Sequence, residues 1–167
     1  MILTIISYPS KLERIFEEAT LHFAKLASPD FAVERCQDHD ELVWLARLWK
    51  RRDQRITRLD LFGHGGGGRF ALGDDVLFAS DGTGYRVAKQ LGPQLAPDAH
   101  LRLLGCRVAR NDVVRKLDGR RLLRDLAVEL GRERVVWGTT AFLGERHLGP
   151  TGFTGLERML VRAGPYA

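Results

Sequence analysis

Apolar residues recur along this chain with two periods, and the changes between them divide it into elements. Ile2 to Ser7 is a short, continuous apolar run and predicts a buried strand. Ser10-Lys11-Leu12-Glu13 has the form of a capping box. Behind it Leu12, Ile15, Phe16, Ala19, Phe23 and Leu26 keep helical spacing. Ser28-Pro29-Asp30 breaks that helix, and Phe31 to Cys36 predicts a second strand. Asp38 and Glu41 cap a second helix with Leu42, Leu45, Ala46 and Trp49 inward. Its last turn carries Lys50-Arg51-Arg52, where cations suit the helix dipole.

The alternation then continues. Arg58 to Gly63 predicts a strand that ends at His64, and four glycines, Gly65 to Gly68, follow. Arg69 to Phe78 reads as a hairpin, two apolar arms around Gly73-Asp74-Asp75. Thr83 to Leu91 predicts a helix that Gly92-Pro93 ends. His100 to Gly105 predicts a strand ending at Cys106. Asp118 to Leu130 predicts a helix with Leu122, Leu123, Leu126, Ala127 and Leu130 inward, stopped by Gly131. Arg134 to Thr139 is the last clear strand. From Ala141 the pattern weakens, and it suggests a strand followed by a short helix over Leu156 to Val161. Strands alternating with helices predict an α/β three-layer sandwich with a mostly parallel sheet and helices on both faces. Residues 1–167 read as one such domain, long enough for a sizeable core.

Composition narrows the class. Hydrophobic content of 44% and charged content of 28% are ordinary for a globular chain. No apolar run approaches the roughly 20 residues of a membrane span, and the N-terminus lacks a signal-peptide pattern. Two cysteines, Cys36 and Cys106, make no disulfide framework, so a reducing cytoplasm is the expected setting. The net charge of +5 is mostly arginine spread along the chain. No interleaved aromatic and basic patch accompanies it, which argues against nucleic acid as partner.

The candidate chemistry lies at two strand ends. In an open parallel sheet, ligands gather beyond the carboxyl ends of the strands. If the strands ending at His64 and Cys106 are neighbours, their ends lie roughly 5 Å apart. The histidine then takes or shares the thiol proton, and the thiolate is a nucleophile. The amides of Gly65 and Cys106 are placed to hold an oxyanion, and side chains at 65–68 would crowd that space. Other readings of these residues stand beside this one. His64 as a turn histidine and Cys106 as a buried small hydrophobe are the bland alternatives. Gly63-x-Gly65-x-x-Gly68 matches a dinucleotide fingerprint, but that motif should open a helix. His-Gly-Gly-Gly occurs in lipase oxyanion loops, but the chain has no Gly-x-Ser-x-Gly elbow. Cys36 reads as core filler, and His22, His39, His100 and His147 as structural or exposed. Cys106 and His64 alone supply too few ligands for a metal.

The stretches "FGHGGGGRFALGDDVLF" and "LRLLGCRVA" resemble the caspase-like fold of cysteine peptidases, which includes caspases, metacaspases, gingipains, separases and bacterial relatives. The likeness is nearest to bacterial caspase-like domains of undefined function. Their pattern is a strand, His-Gly, a small Leu-Gly hairpin, and a strand ending in Tyr-Gly-Cys-x-Val-Ala. Leu72-Gly73 and Leu104-Gly105-Cys106-Arg107-Val108-Ala109 occupy those places, and Val136-Trp137-Gly138-Thr139-Thr140 fits as well. The resemblance covers roughly residues 58 to 140. It implies strand order 2-1-3-4 extended by C-terminal strands, and a cysteine peptidase acting on a peptide or protein substrate without metal or cofactor. It implies His64 as general base, Cys106 as nucleophile, and the Gly65 amide in the oxyanion hole. Gly66, Gly105, Asp75 and Thr139 are the candidate substrate-binding residues. Folds of this kind lose activity easily, so an inactive adaptor module is the alternative, and a nucleotide-binding α/β domain a more distant one. The residue preferred before the scissile bond stays open. Arginines could build a pocket for an acid, and Asp74, Asp75 or Asp81 one for a base.

Overall fold

The computed structural model describes residues 1–11, 13–52, 54–131, 133–149 and 152–164. In chain order the elements are β1 (Ile2–Ser7), α1 (Arg14–Ala24), β2 (Phe31–Cys36), α2 (His39–Arg51), β3 (Ile56–Phe62), β4 (His64–Gly66), β5 (Arg69–Leu72) and β6 (Asp75–Ala79). They continue with α3 (Tyr85–Leu91), β7 (Leu95–Leu104), α4 (Gly119–Leu130), β8 (Val135–Thr139), β9 (Leu148–Gly149), β10 (Gly152–Phe153) and β11 (Leu160–Ala163). Among the described residues the central sheet runs β2-β1-β3-β7-β8-β11. Its pairs are parallel except for β11 against β8. The sheet is therefore an α/β three-layer sandwich with the expected 2-1-3-4 start.

The pleat divides each central strand between two cores. Leu3 and Ile5, Leu59 and Leu61, Leu101 and Leu103 face one side, where α2, α3 and α4 cover them. Ile6, Phe62 and Leu104 face the other, against Phe16, Ala19 and Phe23 of α1 and against Phe153 and Leu156. Near-continuous apolar strands follow from this two-sided burial.

On the α1 side a polar row crosses the sheet in register: Thr4 beside Asp60, Asp60 beside Arg102, Arg102 beside Trp137, and Trp137 beside Arg162. Asp60 is fully buried. It accepts a bidentate pair from Arg102, with Arg58 Nε 3.2 Å from its Oδ2. Burial pushes the Arg58 guanidinium below its ordinary value, against the pull of Asp60.

Two expectations are corrected. The Ser10–Glu13 capping box does not form: α1 begins at Arg14, and its cap residue Glu13 makes no side-chain capping bond. Ser10 instead donates its amide to both carboxylate oxygens of Asp74 at 3.1 Å, tying this segment to the hairpin tip. Leu12 lies outside the described residues. The helix over Leu156 to Val161 is also absent. A turn leads into β11, which pairs Leu160 with Thr139 and Ala163 with Val136. A six-residue segment forms a helix only with costly nucleation, whereas the open edge of β8 offers ready backbone partners. Asp38 does cap α2, accepting from the Glu41 amide at 2.9 Å. Lys50 and Arg51 occupy its last turn. No described helix is long and apolar enough to cross a membrane.

Candidate active site

β3 and β7 are paired neighbours, with Phe62 in register with Leu104. His64 and Cys106 each stand two residues beyond that last pair, at the carboxyl ends of their strands. The peptide Gly105-Cys106 packs directly on His64-Gly65. A Cβ added at Gly65 would fall 2.6 Å from the amide nitrogen and carbonyl oxygen of Cys106. One added at Gly105 would fall 2.9 Å from the His64 carbonyl oxygen. No side chain fits between these backbones.

The rest of the glycine run packs on the loop that follows Cys106. A Cβ at Gly67 would lie 2.6 Å from the backbone at Asn111 and Asp112. At Gly66 it would come within 3.0 Å of Arg69 Nε, so Arg69 lies across that glycine. The run opens β4 and then β5, and no helix follows it, which removes the helix a dinucleotide fingerprint requires. β4, β5 and β6 form a three-stranded ladder, one strand more than the expected hairpin. Its tip lies over the ends of β1 and β2, where Gly73 donates its amide to Ser7 Oγ at 2.9 Å.

Several bonds hold the Cys106 loop. Thr139, fully buried, donates its hydroxyl to the Gly105 carbonyl. Arg107 donates its amide to Ala141 and Ala109 its amide to Thr139, at 3.0 and 2.8 Å. Arg107 has φ of 56°, a left-handed conformation costly for a residue with a side chain. Its guanidinium lies 4.0 Å over the Phe142 ring.

The His64 side chain is 47% exposed. Its Nε2 lies 2.9 Å from Glu13 Oε1, and its ring meets Phe16 edge-on at 5.1 Å. The uncapped start of α1 thus leaves the Glu13 carboxylate available to the histidine. Cys106 is partly buried and lines a cleft of about 510 Å³ together with Gly65, Gly66 and Arg69. Cys36 is fully buried and donates its thiol to the Asp38 carbonyl at 3.0 Å. Burial pushes that thiol up to about 12.

Among the expected site residues, the backbones of His64, Gly65, Gly105 and Cys106 come together, and Gly65, Gly66 and Cys106 line the cleft, while the His64 ring, held by Glu13 and Phe16, is not part of its described lining. Thr139 lies outside the cleft lining and holds the Gly105 carbonyl, next to Cys106 in the chain. Asp75 stands exposed at the start of β6, outside the cleft lining. Glu13 was beyond sequence reasoning, since its role depends on a contact 51 residues away that no spacing announces. Four arginines in the cleft were equally hidden within an evenly basic chain. Among the described residues no group of three or more acidic, histidine or cysteine side chains is placed to hold a metal ion.

A family model described as a domain of unknown function, DUF4347, matches residues 21–150, a span that includes both His64 and Cys106. Neither a curated protein nor a solved structure matches the chain.

Proposed function

The chain belongs to the DUF4347 family, and we propose that it is a caspase-like cysteine peptidase acting through Cys106 and His64. One observation carries this reading: the backbones of His64-Gly65 and Gly105-Cys106 lie in contact at the ends of paired strands, beside an open cleft. Buried apolar surroundings would suit an inert cysteine, but Cys106 faces that cleft instead.

In the proposed reaction His64 accepts the Cys106 proton, and the thiolate forms a C–S bond to the scissile carbonyl carbon. The carbonyl oxygen takes the negative charge, with the Gly65 and Cys106 amides as donors. His64 passes the proton to the leaving amine as the C–N bond breaks, leaving a thioester. Water then attacks with His64 taking its proton, and the returning proton restores the thiol as the acid departs. Glu13 holds the imidazole through its Nε2. The cycle needs Cys106 as a free thiol, a state that a reducing compartment such as the cytoplasm maintains.

Alkylation of Cys106, followed by intact mass in the wild type and in His64→Ala, tests this reading. We expect His64→Ala to slow the reaction at neutral pH by about a hundredfold or more, the usual range for losing a general base. Cys106→Ala should abolish peptide hydrolysis with an unchanged thermal transition. Alkylation indifferent to His64, or hydrolysis surviving in Cys106→Ala, would overturn it and leave a binding module. The rate at Cys36 is no reference, because its burial alone makes it slow.

A further inference from the structure

The walls of the cleft beside Cys106 carry Arg69, Arg107, Arg110 and Arg115, and Asp112 is the one acid among its described lining residues. That acid is already engaged. The Arg115 amide donates to its Oδ1 at 3.0 Å, and Arg115 Nη1 lies 2.9 Å from its Oδ2. The amide and side chain of Arg115 hold the Asp112 carboxyl below its ordinary range. Arg110 donates Nε to the Thr140 carbonyl at 2.8 Å, a contact that leaves four of its five N–H groups and its charge. Arg107 is held in the left-handed region directly after Cys106, and Arg69 lies across Gly66. Among the described residues, three guanidinium groups therefore line the cleft with no carboxylate shown paired to them.

Clustered like charges in a partly enclosed space repel one another more strongly than in open water. An incoming carboxylate removes that repulsion and accepts paired N–H donors from a planar fork. An incoming lysine or arginine adds to it.

Resting on the peptidase reading above, we propose that this cleft selects a peptide with an acidic side chain, Asp or Glu, beside the scissile bond. The carboxylate is received by the Arg69, Arg107 and Arg110 set. The neutral amide of Asn or Gln has nearly the same shape, so the selection is one of charge.

Two measurements test this. The first uses peptidyl acyloxymethyl ketones with one common leader and terminal Asp, Glu, Asn, Ala or Arg, with Cys106 modification read by intact mass. The Asp and Glu reagents should react faster than Asn by about tenfold, the usual scale of a charge-assisted hydrogen bond. Arg69→Glu and Arg107→Glu should each reduce that advantage and raise the rate of the Arg reagent. The second measures anisotropy of fluorescein-labelled acidic and basic peptides on Cys106→Ala, with and without added salt. The acidic peptide should bind tighter, and salt should weaken it.

Faster modification by the Ala, Asn or Arg reagent overturns the acidic preference and leaves the peptidase reading intact. Absence of any modification alongside preferential acidic binding overturns the peptidase reading and keeps the acid-selective cleft. Neither modification nor preferential binding overturns both. Should an arginine variant fail to fold, the Asp against Asn comparison on the wild type decides.

Discussion

Glu13 Oε1 lies 2.9 Å from His64 Nε2, so the start of α1 is joined to the start of β4, just beyond the end of β3. The contact is made because Glu13, though it occupies the cap position of α1, does not cap it. Both side chains are nearly half exposed, and even a fully charged pair so exposed contributes only about 0–1 kcal/mol. Glu13→Ala should therefore leave the urea midpoint almost unchanged while slowing Cys106 alkylation several-fold. Glu13→Gln, which retains a hydrogen-bonding oxygen, should recover part of that rate. A large loss of stability in Glu13→Ala would show a structural role instead.

Gly65→Ala should disturb the site more than any single polar change. Its Cβ would meet Cys106 and Gly105 backbone atoms at 2.6 and 2.7 Å, and neither backbone is free to rotate away. Overpacking of this kind typically costs about 1–3 kcal/mol. Urea denaturation should show that loss, and Cys106 alkylation should fall with it. Normal stability and reactivity in Gly65→Ala would mean that the two strand ends separate easily.

Asp60 is a buried charge in the sheet, held between Arg58 and Arg102. Removing it strands Arg58 and Arg102 on a mostly covered face, and breaking a buried pair from one side costs about 3–5 kcal/mol. Asp60→Ala should lower stability on that scale. The loss should exceed that of Arg55→Ala at the exposed Arg55–Asp98 pair, measured in the same way.

The buried Cys36 sets a pH dependence. Its folded value is raised from 9.0 to about 12, so the fold favours the protonated thiol. That contribution is complete below pH 9 and is lost as pH rises from about 9 toward 12, where only the unfolded chain ionises it. Stability should fall less steeply over that window in Cys36→Ala than in the wild type. Parallel slopes would contradict the burial of the thiol.

Thr139→Val keeps the shape of a buried side chain and removes its donor to the Gly105 carbonyl. Leaving a buried acceptor without its partner costs about 1–3 kcal/mol. Thermal unfolding should register this. Cys106 alkylation should change as well, because the bond holds the peptide next to it.

Which parts of this protein were legible in the sequence depends on how local their causes are. The strands at Phe31–Cys36 and Val135–Thr139 and the helix Gly119–Leu130 follow from period, capping Asp118 and terminating Gly131, all within a few residues. The 2-1-3-4 strand order, with the strands leading to His64 and Cys106 side by side, was expected from a strand–helix alternation and a family resemblance, and it is found. The start of α1 and the fate of Leu156 to Val161 were misread. Ser10 had a better partner in Asp74, 64 residues on, and the tail had one in β8. The sequence by itself determined where chain segments become strand or helix, because apolar period and caps act over a turn or a pleat. Only the tertiary structure decided which charges meet: Glu13 with His64, four arginines along the cleft that Cys106 also lines, and Asp60 between Arg58 and Arg102. Those encounters depend on strand register and loop packing, which are set by contacts between residues far apart in the chain.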